Sequence, residues 1–289
     1  MREHATPQSD KHKFIKEIAK RFMRNRLAMV GFVLLCLLVV MAITAPFIIP
    51  YDYTMQDYDS ILEAPSGKHW FGTDNFGRDI FSRIVYGSRY TLMIAFVCTT
   101  TAAIIGTVLG AVAGYYAKLD NLIMRFCDIL MGVPTLIFAL SIVMTLGVGI
   151  RNVMIALSIT TAPPFIRTVR AQVLTIKDQE FIEAARSIGA SDLRILLKYI
   201  APNAIAPIIV QYTLNSVIVI LWAASLSFIG MGVQAPMPEW GLMINAGRAY
   251  LRSAWFMSVF PGLAIILTTF SLNLVGDGLR DALDPRLKN

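Results

Sequence analysis

Residues 178–202 read DQEFIEAARSIGASDLRILLKYIAP, a charged stretch that lies between two apolar blocks of the chain. We call this stretch the central loop. Its first part, Gln179 to Ile188, contains good helix formers and carries acidic residues in its opening turns, where the helix dipole favours them. Gly189 follows, and glycine accepts the left-handed conformation that a helix C-terminus usually requires. The central loop is therefore predicted to begin with a short helix that ends at Gly189.

A second short helix is predicted in the remainder of the central loop. Ser191 can serve as its N-cap, and Asp192 lies at its positive end. The helix is expected to run to about Ile200 and to be closed by Pro202, which has no backbone N–H to donate. The central loop is thus predicted to be a pair of helices hinged at Gly189.

The composition excludes an ordinary soluble domain. Of the 289 residues, 56% are hydrophobic and only 16% are charged, and the mean hydropathy is +0.60, whereas soluble domains are about a quarter charged. The net charge of +7 could indicate nucleic-acid binding, but the basic residues flank apolar blocks instead of forming one patch with interleaved aromatics. We therefore predict an all-α membrane protein that does not bind nucleic acid.

Six apolar blocks predict six transmembrane helices. They cover residues 27–49, 90–117, 122–147, 151–165, 203–229 and 256–275. The predicted organisation is as follows: a cytoplasmic segment with an interfacial helix at 1–26, the first transmembrane helix at 27–50, an extracytoplasmic loop at 51–89, and a five-helix core with a short cytoplasmic tail at 90–289.

Lysine and arginine are concentrated in the N-terminal segment and in residues 167–202, the stretch that contains the central loop. By the positive-inside rule, these segments and both chain termini are predicted to be cytoplasmic. Trp240, Tyr250 and Trp255 are expected to lie at the membrane interface, where aromatic side chains are enriched.

The loop at 51–89 contains the charged residues that could imitate a catalytic or metal-binding cluster, namely Asp74, Asp79 and Arg83. No cysteine joins them, and His69 is expected to be isolated. A solvated structural loop is therefore predicted here. Cys36, Cys98 and Cys127 all lie in apolar blocks without Cys-x-x-Cys spacing, so that neither a disulfide framework nor a zinc site is expected.

The second apolar block carries a glycine at every fourth position, at Gly106, Gly110 and Gly114. In lipid, such a stripe of small residues lets another helix approach closely. The alternative is that membranes merely tolerate glycine in helices. We favour a helix-packing seam.

Several kinds of functional site are absent from the sequence. There is no Gly-x-x-x-x-Gly-Lys-Ser/Thr, so the chain has no phosphate-binding loop of its own. The cores of the six blocks contain no charged residue or histidine, although ion-coupled secondary transporters usually need one there. They also hold neither a metal set nor an activated nucleophile for an intramembrane enzyme. No catalytic or metal-binding residue is therefore predicted, and transport would need an external energy source.

The run Glu183-Ala184-Ala185, with Gly189 and Pro202 after it, resembles the EAA loop of ABC importer membrane subunits. The family usually ends this loop with Ile-x-Leu-Pro, whereas this chain ends it with Tyr-Ile-Ala-Pro at 199–202. The alternative is an ordinary amphipathic loop helix, since Glu-Ala-Ala alone is common. Three further stretches resemble the dipeptide/oligopeptide/nickel branch of this family: Gly-Thr-Asp-x-x-Gly-Arg-Asp at 72–79, Ser-Phe-Ile-Gly-Met-Gly at 227–232, and residues 277–286.

The resemblance implies a type I (MetI-like) permease fold with six transmembrane helices and a cytoplasmic coupling helix that sits in a groove of an ATPase. It assigns this coupling to Glu183, Ala184, Ala185, Gly189 and Pro202. The partners that it implies are a homologous second permease, two ATP-binding subunits that hold ATP and Mg²⁺, and an extracytoplasmic substrate-binding protein.

By the same resemblance, this chain would be a non-catalytic subunit in the bacterial inner membrane that needs no cofactor of its own. Its substrate would be a di- or oligopeptide, with nickel, glutathione or another small solute as the alternative. A secondary transporter is the less favoured class.

Overall fold

The computed structural model describes residues 7–283, and within that range the chain is helical with no β-strand. The α-helices are α1 (Pro7–Arg24), α2 (Arg26–Ile48), α3 (Ile80–Tyr115), α4 (Ala117–Gly132), α5 (Thr135–Leu146), α6 (Ile150–Thr160), α7 (Ala162–Ile176), α8 (Glu180–Ser187), α9 (Asp192–Ile195), α10 (Ala201–Phe228), α11 (Trp240–Gly247) and α12 (Phe256–Leu283). The last stretch that carries the family resemblance, 277–286, lies partly outside the described residues.

Four helices in the described range are long and apolar enough to cross a membrane. They are α2, α3, the continuous helix Asp192–Phe228 and α12. Helices α4 and α5 pass the same test only together, and a bend of 91° at Val133 and Pro134 separates them, so they count as a fifth span if the bent pair is one crossing. The bend agrees with the proline there, because proline interrupts helical hydrogen bonding.

The fourth apolar block is not a single helix. It is divided between α6, of 11 residues, and the first part of α7, of 15 residues, which meet at Thr161. Each is shorter than the ~20 residues that one membrane-spanning helix needs. The two prolines near the end of this block, Pro163 and Pro164, do not stop the helix, because they lie in the first turn of α7, where a missing N–H costs nothing.

Helix α3 begins at Ile80, well before the apolar block predicted to start at Tyr90. Its 36 residues correspond to about 54 Å at 1.5 Å per residue, compared with the ~30 Å of a bilayer core. The extension is stabilised by Asp79, whose carboxylate accepts a hydrogen bond from the backbone N–H of Ser82 (2.7 Å). The apolar pattern therefore located the part of α3 that fits a membrane, while a polar cap determines where the helix starts.

Pro202 does not close the second helix of the central loop, contrary to the prediction. Helix α9 passes through a π-helical turn, Leu196–Ile200, and continues as α10. In this wider turn the N–H of Ala201 bonds to the carbonyl of Leu196. Pro202 then lies inside the continuous helix, directly after the wider turn, which accommodates its missing N–H.

The three glycines at every fourth position lie against α7. A Cβ atom added at Gly110 would come 2.6 Å from the carbonyl oxygen of Ile166 and 2.8 Å from the Cβ of Val169. A Cβ at Gly114 would come 2.6 Å from Val173, and one at Gly106 would overlap Phe165. The backbones of α3 and α7 approach so closely that there is no room for a methyl group between them.

We expect Gly110→Ala to destabilise the protein, because the added methyl group would force α3 and α7 apart. Overpacking of this kind costs roughly 1–3 kcal/mol. Gly262→Ala is the matched control: it makes the same change within a helix, but its Cβ would meet nothing within 4 Å. The measurement is the thermal unfolding of both variants in the purified transporter. Equal unfolding midpoints for the two variants would contradict the close packing of α3 against α7.

Candidate functional site

The first helix of the central loop, α8, ends in a regular C-terminal cap. Helix α8 ends in a Schellman motif, in which Gly189 has a φ of +80°. The N–H of Gly189 donates to the carbonyl of Arg186 (2.9 Å), and the N–H of Ala190 donates to the carbonyl of Ala185 (3.0 Å). A Cβ at Gly189 would meet nothing within 4 Å. The requirement for glycine here is therefore conformational and does not come from packing within the chain.

Helix α8 buries one face and exposes the other. Ile182 and Ala185 are buried, while Glu183 and Ala184 are exposed. The buried face packs into a cluster formed by Val169, Val173, Ile176, Ile195 and Ile200. The residues predicted to act together in coupling thus divide into an inward anchor, Ala185, and an outward pair, Glu183 and Ala184.

Gly189 and Pro202, the other two residues of the predicted coupling set, are also exposed. Pro202 lines a shallow groove of about 520 Å³. The groove is bordered by the α9 and π-turn residues Ser191, Leu193, Arg194, Leu197 and Lys198. Ser191 is the N-cap residue of α9, as predicted, but its side chain makes no capping hydrogen bond.

Large apolar side chains are exposed along the central loop. Phe181 lies on α8 and Ile188 is the C-cap residue directly after it, and Ile188 is 81% exposed. Leu193 and Leu197, one helical turn apart, are each about two-thirds exposed. Exposed apolar groups at helical spacing are typical of a protein-binding surface. We call these four residues the apolar surface of the central loop.

The central loop is tied to the end of α3 by side-chain hydrogen bonds. The hydroxyl of Tyr115 donates to one carboxylate oxygen of Asp192 (2.7 Å), and the hydroxyl of Tyr116 donates to the other (3.2 Å). The ammonium group of Lys177 donates to the carbonyl of Gly114 (3.2 Å). Asp192 was expected only to stabilise the start of a helix, so this contact was not foreseen. The sequence feature that could have suggested this contact is the pair of hydrogen-bond donors Tyr115 and Tyr116, which follow directly after Gly114.

Two ion pairs connect α4 to α7 at the same end of α3. Arg170 contacts Asp120 through two nitrogens (2.5 and 2.6 Å), and Arg167 contacts Asp128 (2.6 Å). The first pair is largely buried and bidentate, which gives it a fixed geometry. The second is mostly exposed, and such pairs contribute about 0–1 kcal/mol. Helices α3, α4, α7 and the central loop are thus joined at one end of the molecule.

At the opposite end of α3, the last part of the loop between α2 and α3, residues 69–79, is largely buried and not solvated as predicted, whereas residues 51–68 are exposed or half-buried. His69 is not isolated: its Nδ1 lies 2.9 Å from a carboxylate oxygen of Asp79. Asp74 accepts hydrogen bonds from the Nε of Arg78 (2.7 Å) and from its backbone N–H (3.0 Å). All of these side chains and Arg83 are buried. Among the described residues, no group of three or more His, Cys, Asp or Glu side chains could hold a metal ion.

This loop can fold back on itself because of the backbone at Gly77. Gly77 has a φ of +72°, and a Cβ there would overlap the backbone of Asp57. Phe71 then stacks on Phe260 of α12, with ring centroids 4.1 Å apart. The sequence shows the turn residues but not the long-range contacts, which is why the burial was missed.

Trp240 is not an interfacial residue, contrary to the prediction. It is completely buried, and its indole N–H donates to the carbonyl of Ile84 in α3 (3.0 Å). Trp255, by contrast, is half exposed, and Tyr250 is half-buried. The presence of an aromatic residue near the end of a membrane helix does not tell whether its ring lies at the membrane interface or is buried among neighbouring helices.

Glu239, directly before α11, is a buried residue that the sequence did not single out. Its carboxylate accepts hydrogen bonds from the N–H groups of Gly241 (3.0 Å) and Leu242 (2.9 Å). Burial raises the pKa of this carboxyl group above its ordinary value, while the bonds from α11 and from Ser227 oppose that shift. It holds α11 in place beside α10. Glutamate is not a preferred N-cap residue, so the sequence gives no ready signal for this role.

Comparison with known proteins places these features in a family. The family model described as "Binding-protein-dependent transport system inner membrane component" matches residues 106–289. A second model, described as "N-terminal TM domain of oligopeptide transport permease C", matches residues 13–65.

Curated relatives match almost the whole chain. The dipeptide transport system permease protein DppC of Alkalihalophilus pseudofirmus is 45% identical over 275 residues, which cover 95% of this chain and 90% of that protein. The glutathione transport system permease protein GsiD of Escherichia coli O6:K15:H31 is 48% identical over 274 residues, covering 94% and 90%.

The fold is also found among solved structures. A chain of the MetNI methionine ABC transporter, solved in inward-facing conformations, aligns with a TM-score of 0.58. The sequence identity is 20%, and the alignment covers 70% of this chain and 97% of that one. This match concerns the fold alone. The family model and the curated relatives show that the chain belongs to the binding-protein-dependent transport system inner membrane components and is a non-catalytic permease subunit of an ABC importer.

Proposed function

We propose that this permease pairs with a homologous second permease and couples to two ATP-binding subunits through the central loop. The observation that carries the proposal is the apolar surface of that loop, which is exposed although the loop itself is anchored to α3 and α7. ATP and Mg²⁺ would be bound by the partner subunits, since this sequence has no phosphate-binding loop. An extracytoplasmic binding protein would deliver the substrate.

In this proposal α8 is the coupling helix that sits in a groove of the ATPase. Glu183 and Ala184 face outward, the first to bond the ATPase and the second to allow close approach. Ala185 anchors the helix to its own subunit, and Gly189 sets the angle of the following segment. Pro202 borders the adjacent groove. The exposure of Ile188 supports this orientation, because a large apolar side chain gains most from being covered by a partner.

Movement of α8 would reach the membrane through Asp192. A displacement of the ATPase would carry α8 and α9, and the bonds from Asp192 to Tyr115 and Tyr116 would transmit it to the end of α3. The tight contact between α3 and α7 would then move both helices as one body, since close-packed helices shift together instead of deforming. Import would follow from alternation between inward-open and outward-open arrangements.

The membrane topology that we propose has six crossings in the bacterial inner membrane. They are α2, α3, the bent pair α4–α5, the pair α6–α7, α10 and α12. The basic N-terminal segment (1–26), the central loop and the C-terminal tail would be cytoplasmic, and the loop within 51–89 extracytoplasmic. The concentration of lysine and arginine in the N-terminal segment and in residues 167–202, which lead into and include the central loop, supports this orientation.

The proposed substrate is a di- or oligopeptide. The relatives named for dipeptide and glutathione transport support it, because glutathione is itself a modified tripeptide. Glutathione is therefore the second candidate, ahead of nickel or another small solute. Identifying the ligand that the cognate binding protein retains would separate these candidates.

We predict that combining Tyr115→Phe with Tyr116→Phe uncouples ATP hydrolysis from uptake. The change removes two hydrogen bonds to a carboxylate, each worth about 1.5–3 kcal/mol, but keeps both rings. Uptake into liposomes should fall severalfold while ATP hydrolysis continues. Tyr58→Phe, on the loop before α3, is the control and should transport normally. Unchanged uptake in the double variant would remove these tyrosines from the transmission.

The helix end at Gly189 gives a separate test of coupling. Gly189→Val would force a β-branched residue into a positive φ, at a cost of roughly 1–2 kcal/mol. Uptake and binding-protein-stimulated ATP hydrolysis should collapse while the permease stays in the membrane.

Gly189→Asn is the matched variant, because asparagine tolerates this conformation and no neighbouring atom opposes its Cβ. It should keep most of the activity. Full stimulation in the valine variant would contradict the central role of this loop.

The topology can be tested with single cysteines in a cysteine-free background. Cysteines at Ser66 and Met237 should react with an impermeant thiol reagent from outside intact cells. A cysteine at Ser187, which is exposed at the end of α8, should react only after the membrane is opened. Labelling of that position in intact cells would reverse the proposed orientation.

A further inference from the structure

At the α2–α3 loop end of the molecule lies a cavity of about 420 Å³ that the coupling mechanism does not use. The loop before α3, the first turns of α3, and helices α11 and α12 enclose it. Its apolar wall includes Leu242, Met243, Ala246 and Met257. Its polar wall is formed by Asp74, Arg78 and Arg83.

The polar wall carries one more positive charge than negative. Arg78 and Arg83 both direct their Nε atoms at the same carboxylate oxygen of Asp74, at 2.7 and 3.6 Å. The three side chains are only 7%, 4% and 5% exposed, in the order Arg78, Arg83, Asp74. A buried charge without a counter-charge is costly. The cluster is therefore short of one negative charge.

No other acid near the cluster supplies that charge. The second oxygen of Asp74 already accepts the backbone N–H groups of Phe76 (2.8 Å) and Arg78 (3.0 Å). Asp79 is engaged by His69 and by the backbone and hydroxyl of Ser82. Within the described residues, the guanidinium of Arg78 bonds only Asp74, through its Nε, and lies over the ring of Phe76. Arg83 donates from Nη1 to the carbonyl of Tyr53 (2.8 Å), so that Arg78 keeps the larger share of free donors.

We propose that this cavity binds the terminal carboxylate of a small peptide, with Arg78 and Arg83 as the recognising groups. A planar carboxylate matches the fork of donors that a guanidinium presents. Met243 and Met257 can adjust to different side chains, because methionine is flexible and polarizable. The inference rests on the proposed peptide substrate and on the proposed extracytoplasmic position of this end, where a binding protein would release its cargo.

The test measures binding of L-alanyl-L-alanine to the purified transporter in lipid nanodiscs, without ATP and without binding protein. The wild type should bind the dipeptide at least about tenfold more tightly than its C-terminal amide, because the amide lacks the negative charge that the two guanidinium groups would pair with. Arg78→Gln should abolish that preference. Arg89→Gln changes an exposed arginine on the same helix and should leave it intact.

A second variant keeps the test valid if Arg78→Gln fails to assemble. Ala246→Leu leaves the charged cluster unchanged but fills the cavity, and it should also weaken dipeptide binding. Equal binding of the dipeptide and its amide, or normal binding by both cavity variants, would overturn the proposal. Docking of the binding protein to the same nanodiscs is measured separately. If Arg78→Gln weakens that docking and leaves the preference for the dipeptide unchanged, the cavity accepts an acidic side chain of that partner, and the substrate assignment is wrong.

This experiment separates the inference from the proposed coupling, because it needs neither ATP nor movement of the central loop. Suppose that peptide uptake depends on Gly189, but the dipeptide and its amide bind equally well. That result would refute only the proposal that the cavity binds a terminal carboxylate. Binding with the expected preference in a transporter whose uptake is indifferent to Gly189 would refute only the coupling.

Discussion

The close approach of α3 to α7 is the constraint on which most of this structure depends. It exists because Gly106, Gly110 and Gly114 present no side chain to α7, so that backbone atoms meet side-chain stems directly. In lipid, where burying apolar groups brings little gain, such contact is a main source of attraction between helices. A similar contact holds α2 to α12, where Gly31 lies against Ser271 and Leu274. These two helix pairs are thus held by close fit, whereas α3 and α10 are also joined by a mid-helix hydrogen bond between Thr100 and Tyr212 (2.8 Å).

Helix α3 connects two polar regions that differ in structure. At its first end, buried acids and arginines fold a loop over the helix and leave a charged cavity. At its last end, Tyr115 and Tyr116 hold the central loop through a single aspartate. Between them runs a stretch without charge, which suits the membrane interior. A rigid helix with the proposed recognition site at one end and the proposed coupling attachment at the other is suited to relating events on two sides of a membrane.

The parts of the fold that the sequence predicted are those determined by near neighbours. The end of α8 at Gly189 follows from a glycine after a run of helix formers, and the apolar blocks locate α2, α10 and α12 because each is long enough to cross a bilayer. The failures involve distant partners. His69 and Trp240 are buried by segments far away in the chain, and no local pattern records that. The prediction for Pro202 failed because a proline rule was applied without the wider turn that accommodates it.

That wider turn has a geometric consequence for the whole transporter. An α-helix advances by about 100° per residue, so a turn that accommodates one extra residue changes the rotational phase of everything before it relative to everything after it. Residues 196–200 therefore allow the apolar sequence of α10 to face its own neighbours while Asp192 faces α3, although both belong to one continuous helix. A strict α-helical repeat through this region could not satisfy both demands. The π-helical turn thus lets one continuous helix direct one face at the neighbouring membrane helices and, before the turn, a different face at α3 and at the proposed ATPase contact.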